Sequence, residues 1–284
     1  MKQILTLIKW RIALLSAVAA VAGALLASPT VGWQFVWPVL GTYLLACGAA
    51  ALNQIQERHL DIQMPRTQHR PLPSGAMKLR TAQIISGSLL LGGLGLLALT
   101  GHAITVGLGL AAVLSYNAVY TPLKRITPWA PVIGAVVGAF APAIGWTGVG
   151  SATHGPALFA LIVFFVVWQV PHFWLLFLRM EREYAAAGFP VLTTRLNLTR
   201  LKRVTAVWMI ATASLGLLLP LFGAIHHVVV AGILVTVAAW LAWSTRSFMG
   251  PAPHSDRQAF AAINAFAVTL LAAIIFEQVW RSGL

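Results

Sequence analysis

Apolar residues run through most of this chain in long stretches separated by short polar segments. Nine stretches are long enough to cross a bilayer, because a spanning helix needs roughly 20 apolar residues. They cover approximately residues 9–27, 34–56, 82–100, 103–120, 129–149, 156–178, 204–224, 227–246 and 258–279. The alternation of a membrane β-barrel is absent, and a spanning segment must satisfy its own backbone hydrogen bonds, so we predict nine helices.

The composition is that of a membrane protein. Of 284 residues, 59% are hydrophobic and 9% are charged, whereas soluble domains carry about 25% charged residues. No long hydrophilic segment separates the spans, which predicts a single domain over residues 1–284. The first span follows Lys2, Lys9 and Arg11 but is too long for a typical signal-peptide core, so we expect it to be retained. Cys47, the single cysteine, lies within a span and excludes an intramolecular disulfide.

The net charge of +13 would suggest nucleic acid in a soluble protein, but its placement indicates membrane topology. With the N-terminus inside and nine spans, 18 of the 19 lysines and arginines lie inside and only Arg281 lies outside. This asymmetry follows the positive-inside rule. We therefore expect an inner-membrane protein with a cytoplasmic N-terminus and cytoplasmic site loops, a C-terminus on the opposite side, and no nucleic-acid partner.

Four of the six acidic residues lie in two long inner segments, Asn53–Gly75 after the second span and Pro171–Leu192 after the sixth. Asn53, Glu57 and Asp61 are spaced four apart, and each step of four turns a helix position by only about 40°, so they share one face. Their oxygens are the hard ligands that Mg²⁺ takes together with substrate phosphates. The alternative is a solvated helix end with incidental acids.

The second segment contains Arg179, Glu181, Arg182, Glu183 and Tyr184 in close succession. Glu183 is a candidate for a second metal–phosphate half-site that faces the first. A simpler alternative is that Arg179 and Glu183, which are four residues apart, form an ordinary helix ion pair.

Basic residues between the two acidic segments are candidates for a clamp on a diphosphate. Arg66, Arg70 and Lys124 are the strongest, because they are near Asp61 or near Tyr116, Asn117 and Tyr120 in the sequence. The alternative is that these charges only determine topology.

The first acidic segment resembles a motif of UbiA-type intramembrane prenyltransferases, and more narrowly of the heme O synthase branch. The resemblance lies in Asn53-x₃-Glu57-x₃-Asp61 continued as MPRTQHRPLPSG. The stretches YNAVYTPLKRITPW and GAVVGAFAPAIGW resemble two further segments of that branch, as do PHFW at 171–174 and EYAAAGFPVL at 183–192. Together these motifs run from the second span to the loop after the sixth.

Three positions depart from the pattern of the family. Glu57 stands where Asp is commoner, and Ala141 where Pro is common. Arg179 and Glu183 replace the Asp-x₃-Asp pair of the wider family, and the basic residue favours heme over quinone or chlorophyll substrates.

The resemblance implies an all-α polytopic membrane protein with about nine transmembrane helices around a central cavity open to the cytoplasmic side. It implies farnesyl transfer from farnesyl diphosphate to a vinyl group of heme B, which gives heme O. Mg²⁺ is the implied cofactor, and the implied ligands are Asn53, Glu57, Asp61 and Glu183. The implied substrates are farnesyl diphosphate and heme B, and the protein is expected to be embedded in the lipid bilayer. A downstream heme A synthase or terminal oxidase is a candidate partner.

Further residues are candidates for contact with these two substrates. The candidate diphosphate contacts are Arg66, Arg70, Lys124, Tyr120 and Asn117. The candidate heme contacts are His172, Tyr116, Trp174 and Arg179. His172 is the only histidine well inside a predicted span and could ligate iron; the alternative is a hydrogen-bonded packing residue. For Tyr116 and Tyr120 the alternative is anchoring at the membrane interface.

Two other functions fit parts of the pattern. One is the same chemistry on an aromatic quinone precursor. The other, from a different class, is a transporter or binding protein for heme or lipid. A transporter should place its functional charges near mid-membrane, whereas the acids here cluster at one end of the spans.

Overall fold

A computed structural model describes residues 1–28, 30–151, 155–250 and 255–282. Within these residues every regular element is helical, and nine helical segments are long and apolar enough to cross a membrane. This confirms the nine predicted spans. The α-helices in chain order are α1 (Lys2–Ile8), α2 (Trp10–Ala27), α3 (Val36–Asp61), α4 (Leu79–Ala98), α5 (Ala103–Val113), α6 (Thr121–Leu123), α7 (Ala130–Gly134), α8 (Phe140–Gly148), α9 (Pro156–Ala186), α10 (Leu198–Leu218), α11 (Val228–Met249) and α12 (Ser255–Ser282).

Two spans extend further than their apolar stretches. α3 continues to Asp61 and α9 to Ala186, so the predicted ends at residues 56 and 178 were too early. In α3 the reason is that its last polar residues face other helices: Asn53, Glu57 and Asp61 are each at most 5% exposed. Hydrogen bonding along the helix does not depend on the apolar pattern, so the acidic motif lies on the spanning helix itself.

Small residues allow the helices to approach closely. A Cβ on Gly23 of α2 would overlap the backbone of Pro142 in α8, and one on Gly145 of α8 would overlap the backbone of Ala20. Such contacts are typical of membrane helices, whose association depends on close packing because lipid is as apolar as their side chains. Elsewhere large apolar side chains such as Leu221 and Val228 are exposed, which indicates contact with lipid. The chain is an integral membrane protein.

Helix α1 is docked against α3 by one buried glutamine. Gln54 Nε2 donates to the carbonyl oxygens of Thr6 (2.8 Å) and Leu7 (2.9 Å), which end α1 without helical partners. Between α1 and α2 the backbone turns sharply at Lys9, with φ 48° and ψ 47°. This left-handed conformation costs about 1–2 kcal/mol for a residue with a side chain. It is the only positive φ at a non-glycine residue in the described part of the chain.

Candidate active site

The two acidic segments meet at one end of the helix bundle. Met64, after α3, packs in one apolar cluster with Ala187 and Phe189, which follow α9. Leu60 and Tyr184 pack against the same cluster. The end of the bundle that holds residues 53–70, 117–125 and 181–193 is termed the charged end.

A hydrogen-bonded chain runs along the buried face of α3. Asn53 Nδ2 donates to Glu57 Oε2 (3.0 Å) and to Thr121 Oγ1 (3.2 Å), while Lys9 Nζ donates to Asn53 Oδ1 (3.3 Å). The other oxygen of Glu57 forms an ion pair with Lys124 Nζ at 2.5 Å. The predicted shared face of Asn53 and Glu57 is therefore present, and Lys124 lies directly on it.

Asp61, one turn further along, forms a second ion pair. Arg70 Nη1 lies 2.8 Å from both carboxylate oxygens, and the Asp61 side chain is only 1% exposed. Thr67 Oγ1 donates to the Asp61 carbonyl oxygen (2.9 Å), which holds the loop against the end of α3. Arg66 is exposed at the rim of the charged end.

The partner face comes from a π-helical stretch, Leu114–Tyr120, which follows α5. Such stretches are rare and are often found at functional sites. Thr121 Oγ1 donates to the Tyr116 carbonyl oxygen (2.9 Å), and Asn117 Nδ2 donates to the carbonyl oxygen of Ala49 (3.0 Å) and to Gln56 Oε1 (3.2 Å). Asn117 of this stretch and Thr121 directly after it therefore lie against α3.

A run of aromatic rings leads from the ion pairs into the bundle. Lys124 Nζ lies 5.4 Å from the ring centre of Tyr120, which stacks between Tyr116 (5.9 Å) and Phe173 (5.8 Å). The ring of His172 follows at 5.6 Å from Phe173. Aromatic faces attract cations, so this run can stabilise positive charge on a substrate between Lys124 and His172.

His172 is held by one defined hydrogen bond. Asn264 Nδ2 donates to the Phe260 carbonyl oxygen (2.6 Å), so Asn264 Oδ1 faces His172 Nδ1, at 2.7 Å. An amide oxygen only accepts, so His172 carries its proton on Nδ1 and keeps a lone pair on Nε2. The rings of Trp168 (4.8 Å) and Phe260 (5.2 Å) flank it, and Arg179 lies over Phe260 at 5.4 Å.

Trp174 lies on another side of α9 from His172. Two residues correspond to about 200° of rotation on a helix, and Trp174 accordingly packs with Val170 and Leu201 and edge-on against Trp129, at 6.1 Å. It lines a narrow pocket at the charged end together with Lys124. The structure therefore does not bring Trp174 to His172, and a role in heme contact stays a prediction.

Glu183 retains one unsatisfied oxygen. Its Oε2 is buried without a hydrogen-bond partner, whereas Glu181 Oε1 accepts from Thr193 Oγ1. The expected alternative, an Arg179–Glu183 ion pair, is not among the ion pairs of the described residues, because the Arg179 guanidinium lies over Phe260.

Burial and nearby positive charges lower the pKa values of two lysines outside the spans, Lys9 and Lys124. Burial and, less strongly, the charges of Arg70 and Lys124 together lower the pKa of Lys9 to about 7, against the opposing effects of Glu57 and Asp61. Burial also lowers the pKa of Lys124, against the opposing effect of Glu57. A bound anion would raise both values.

The donor set fits a divalent cation that arrives with a phosphorylated substrate. Amide and carboxylate oxygens line α3, and Glu183 offers an orphaned buried oxygen. In the described residues no three acidic, histidine or cysteine side chains converge closely enough to form a preformed metal cage. Mg²⁺ commonly uses one or two carboxylates and completes its shell with phosphates and water, so a cage is not required.

Several residues at the site were not among the predicted contacts. Lys9 was assigned to topology alone, and Thr121 and Asn264 carry no spacing signal in the sequence. Tyr184 was noted only as part of the second acidic segment, yet it packs beside the loop that follows α3. The proximity of these residues depends on tertiary packing, and only the position of Lys9 before an apolar run offered a local signal.

Comparison with known proteins adds an independent line of support. A model of the UbiA prenyltransferase family matches residues 13–270. A protoheme IX farnesyltransferase of Oleidesulfovibrio alaskensis is 33% identical over 279 residues, which cover 98% of this chain and 97% of that protein. Another, of Geobacter sulfurreducens, is 38% identical over 280 residues, which cover 97% and 99%.

Solved structures are similar in fold. A digeranylgeranylglyceryl phosphate synthase structure matches with a TM-score of 0.78 and 14% identity, covering 98% of each chain. A UbiA homolog from Archaeoglobus fulgidus, bound to GPP and Mg²⁺, matches with a TM-score of 0.72 and 14% identity, covering 99% of this chain and 100% of that one.

Proposed function

The chain belongs to the UbiA prenyltransferase family, and we propose that it transfers the farnesyl group of farnesyl diphosphate to a vinyl group of heme B, giving heme O. The observation that carries the choice of substrates is the identity of 33–38% over nearly the whole chain to protoheme IX farnesyltransferases. The charged end supplies the chemistry that this reaction needs.

The first requirement is stabilisation of the leaving group. When the C–O bond of farnesyl diphosphate breaks, its electron pair leaves with the diphosphate, whose charge must be neutralised. Lys124 and Arg70, each paired with a buried acid, are positioned to bind that charge. Arg66 at the rim and Asn117 and Tyr120 on the π-helical stretch are proposed as further contacts. Fixed charges in a site that excludes water are effective for this purpose.

Metal binding is proposed at the same face. Asn53, Glu57 and Asp61 would hold Mg²⁺, with Glu183 from α9. The buried, unpartnered oxygen of Glu183 supports its inclusion. The A. fulgidus homolog of similar fold, bound to GPP and Mg²⁺, supports the choice of metal. When bound, Mg²⁺ supplies Lewis-acid neutralisation of the leaving diphosphate.

The second requirement is protection of the allylic cation. Its C1 carbon forms a bond with the vinyl electrons of heme B, which moves the positive charge to the porphyrin side. Water then adds its oxygen there and loses a proton. The stacked rings of Tyr116, Tyr120 and Phe173 are placed to stabilise the first cation. The apolar bundle excludes water until the carbon–carbon bond has formed.

The acceptor is proposed to bind near His172. Nε2 of His172 has the free lone pair that an axial iron ligand needs, since Asn264 fixes the proton on Nδ1. Arg179 lies beside this group, where a propionate could be bound. A central cavity large enough for both substrates stays a prediction.

We propose that the charged end faces the cytoplasm in an inner membrane, with the C-terminus on the other side. The support is the distribution of 18 of 19 basic residues over segments on one side of the nine spans. A downstream heme A synthase or terminal oxidase remains the proposed consumer of the product.

The test is a reconstituted assay. Protein in liposomes receives farnesyl diphosphate, Mg²⁺ and either heme B or a hydroxybenzoate acceptor, and products are identified by mass spectrometry. We expect farnesylated heme and no farnesylated hydroxybenzoate. Product on the aromatic ring alone would favour the quinone-precursor reaction. Heme or lipid flux without a covalent product would identify a transporter instead.

A further inference from the structure

Three cations from three separate segments converge on one face of α3. Lys9 comes from the turn between α1 and α2, Arg70 from the loop after α3, and Lys124 from the segment after α6. Two of them have acidic partners, Glu57 for Lys124 and Asp61 for Arg70. Since the two acids are already neutralised one to one, Lys9 is surplus positive charge.

Lys9 nevertheless lies inside the hydrogen-bonded chain of the site. Its Nζ donates to Asn53 Oδ1 (3.3 Å), a neutral amide oxygen, and Asn53 in turn donates to Glu57. Lys9 is in neither ion pair of the described residues. An amide oxygen compensates only poorly for the cost of half-burying an ammonium charge. A bound anion would supply the missing opposite charge.

The backbone around Lys9 holds the side chain in this direction. Gln54 fixes the end of α1, and Leu7, with no exposed surface, packs against Ala51 and Ile55 of α3. On the other side, the Lys9 carbonyl oxygen accepts from the backbone of Ile12 and starts α2. Glycine would adopt this left-handed turn without strain. Backbone strain of this kind concentrates at functional sites. A lysine in the strained position therefore suggests that its side chain has a function.

We infer that Lys9 is a third cation of the diphosphate site, directed at the leaving group by the left-handed turn between α1 and α2. The inference rests on the proposed function, since it assigns Lys9 to the same substrate. Lys9 contacts Asn53 and Lys124 contacts Glu57, and these two residues are hydrogen-bonded to each other, so a diphosphate bound beside this pair would be within reach of both lysines. Lys9 is thus a binding residue, although it lies outside both acidic motifs.

The experiment measures binding of inorganic pyrophosphate with Mg²⁺ to the purified full-length chain by calorimetry. Lys9→Gly and Lys9→Asn both tolerate the left-handed backbone and remove the charge. We expect each to weaken pyrophosphate binding by about 10- to 100-fold, as for the loss of one charge-assisted hydrogen bond. Lys9→Arg should recover part of the affinity. Lys2→Gln, which removes an exposed cation from α1, is the matched control and should bind like the unaltered chain.

Two further measurements distinguish a binding role from a structural one. Melting temperature should stay the same or rise in Lys9→Gly, because the strain is relieved. In the transfer assay the KM for farnesyl diphosphate should rise in Lys9→Gly, while the KM for heme B stays unchanged.

Wild-type affinity for pyrophosphate in both uncharged variants would overturn the assignment of Lys9. If the unaltered chain binds pyrophosphate but does not farnesylate heme, the proposed function fails while the Lys9 comparison still stands. If the unaltered chain does not bind pyrophosphate, both are wrong.

Discussion

Substitution of Asp61 by Asn separates stability from chemistry at the charged end. The change keeps the shape of the side chain but removes the charge opposite Arg70, whose Nη1 lies 2.8 Å from both carboxylate oxygens. Breaking a buried pair costs 3–5 kcal/mol, because the remaining charge is left without a partner. The Arg70 side chain retains 17% exposure and can be partly solvated. We therefore expect the lower limit, a loss of about 3 kcal/mol in the free energy of unfolding.

The double variant Asp61→Asn/Arg70→Gln should recover much of that loss. A coupling energy of about 2 kcal/mol is expected for two residues in direct contact. Farnesyl transfer, in contrast, should stay at least about 100-fold below that of the unaltered chain in both variants, since a carboxylate proposed to hold Mg²⁺ at the leaving group is missing.

Denaturant titration in mixed micelles measures the free energies of unfolding, and single-turnover mass spectrometry measures transfer. Transfer at the unaltered rate in Asp61→Asn would show that Asp61 is structural only. A coupling energy near zero would show that the ion pair does not form.

Three further predictions concern other parts of the site. Asn264→Leu removes the acceptor for His172 Nδ1, so it should shift the Soret band of added heme and weaken heme binding. Asn264→Asp keeps an acceptor and should preserve the Soret band and the affinity. Identical spectra for the unaltered chain and the two variants would exclude heme ligation by a positioned His172. Gly134→Ala places a Cβ against the Tyr120 ring and should lower farnesyl transfer and cost about 1–3 kcal/mol of stability, while Gly95→Ala, which meets open space, serves as the neutral control in the same assays. Removal of divalent cations with EDTA should abolish transfer reversibly, with Mg²⁺ restoring it; full activity in EDTA would contradict a metal role for Glu57 and Asp61.

The spans could be predicted because hydropathy depends on local composition. A segment such as 228–249 crosses a bilayer by virtue of its own residues, whatever its neighbours are. The ends of α3 and α9 could not be predicted from hydropathy, because polar residues there are buried by contacts between helices. One domain over residues 1–284 stays a prediction.

The part of the site that lies along one face of α3 could be predicted, because it depends only on helical periodicity. Asn53, Glu57 and Asp61 share a face because of their spacing. Arg70 and Lys124 were predicted from their nearness in the sequence to other site residues, and His172 from its position inside a span. The pairing of each acid with one particular cation could not be read from the sequence. Nor could the π-helical stretch, at whose end Thr121 Oγ1 donates to the Tyr116 carbonyl oxygen.

The sequence by itself determined the all-helical membrane architecture and the acidic face of α3, since both follow from repeats of side-chain character along one chain segment. Tertiary structure alone decided that Lys9 reaches Asn53 and that Asn264 fixes the proton of His172. Both contacts join residues from distant segments, and the relative rotation and depth of the packed helices set those distances. No local sequence pattern encodes these contacts. Each helix is apolar on many of its faces, so the face that packs against a given neighbour is decided only by the tertiary structure.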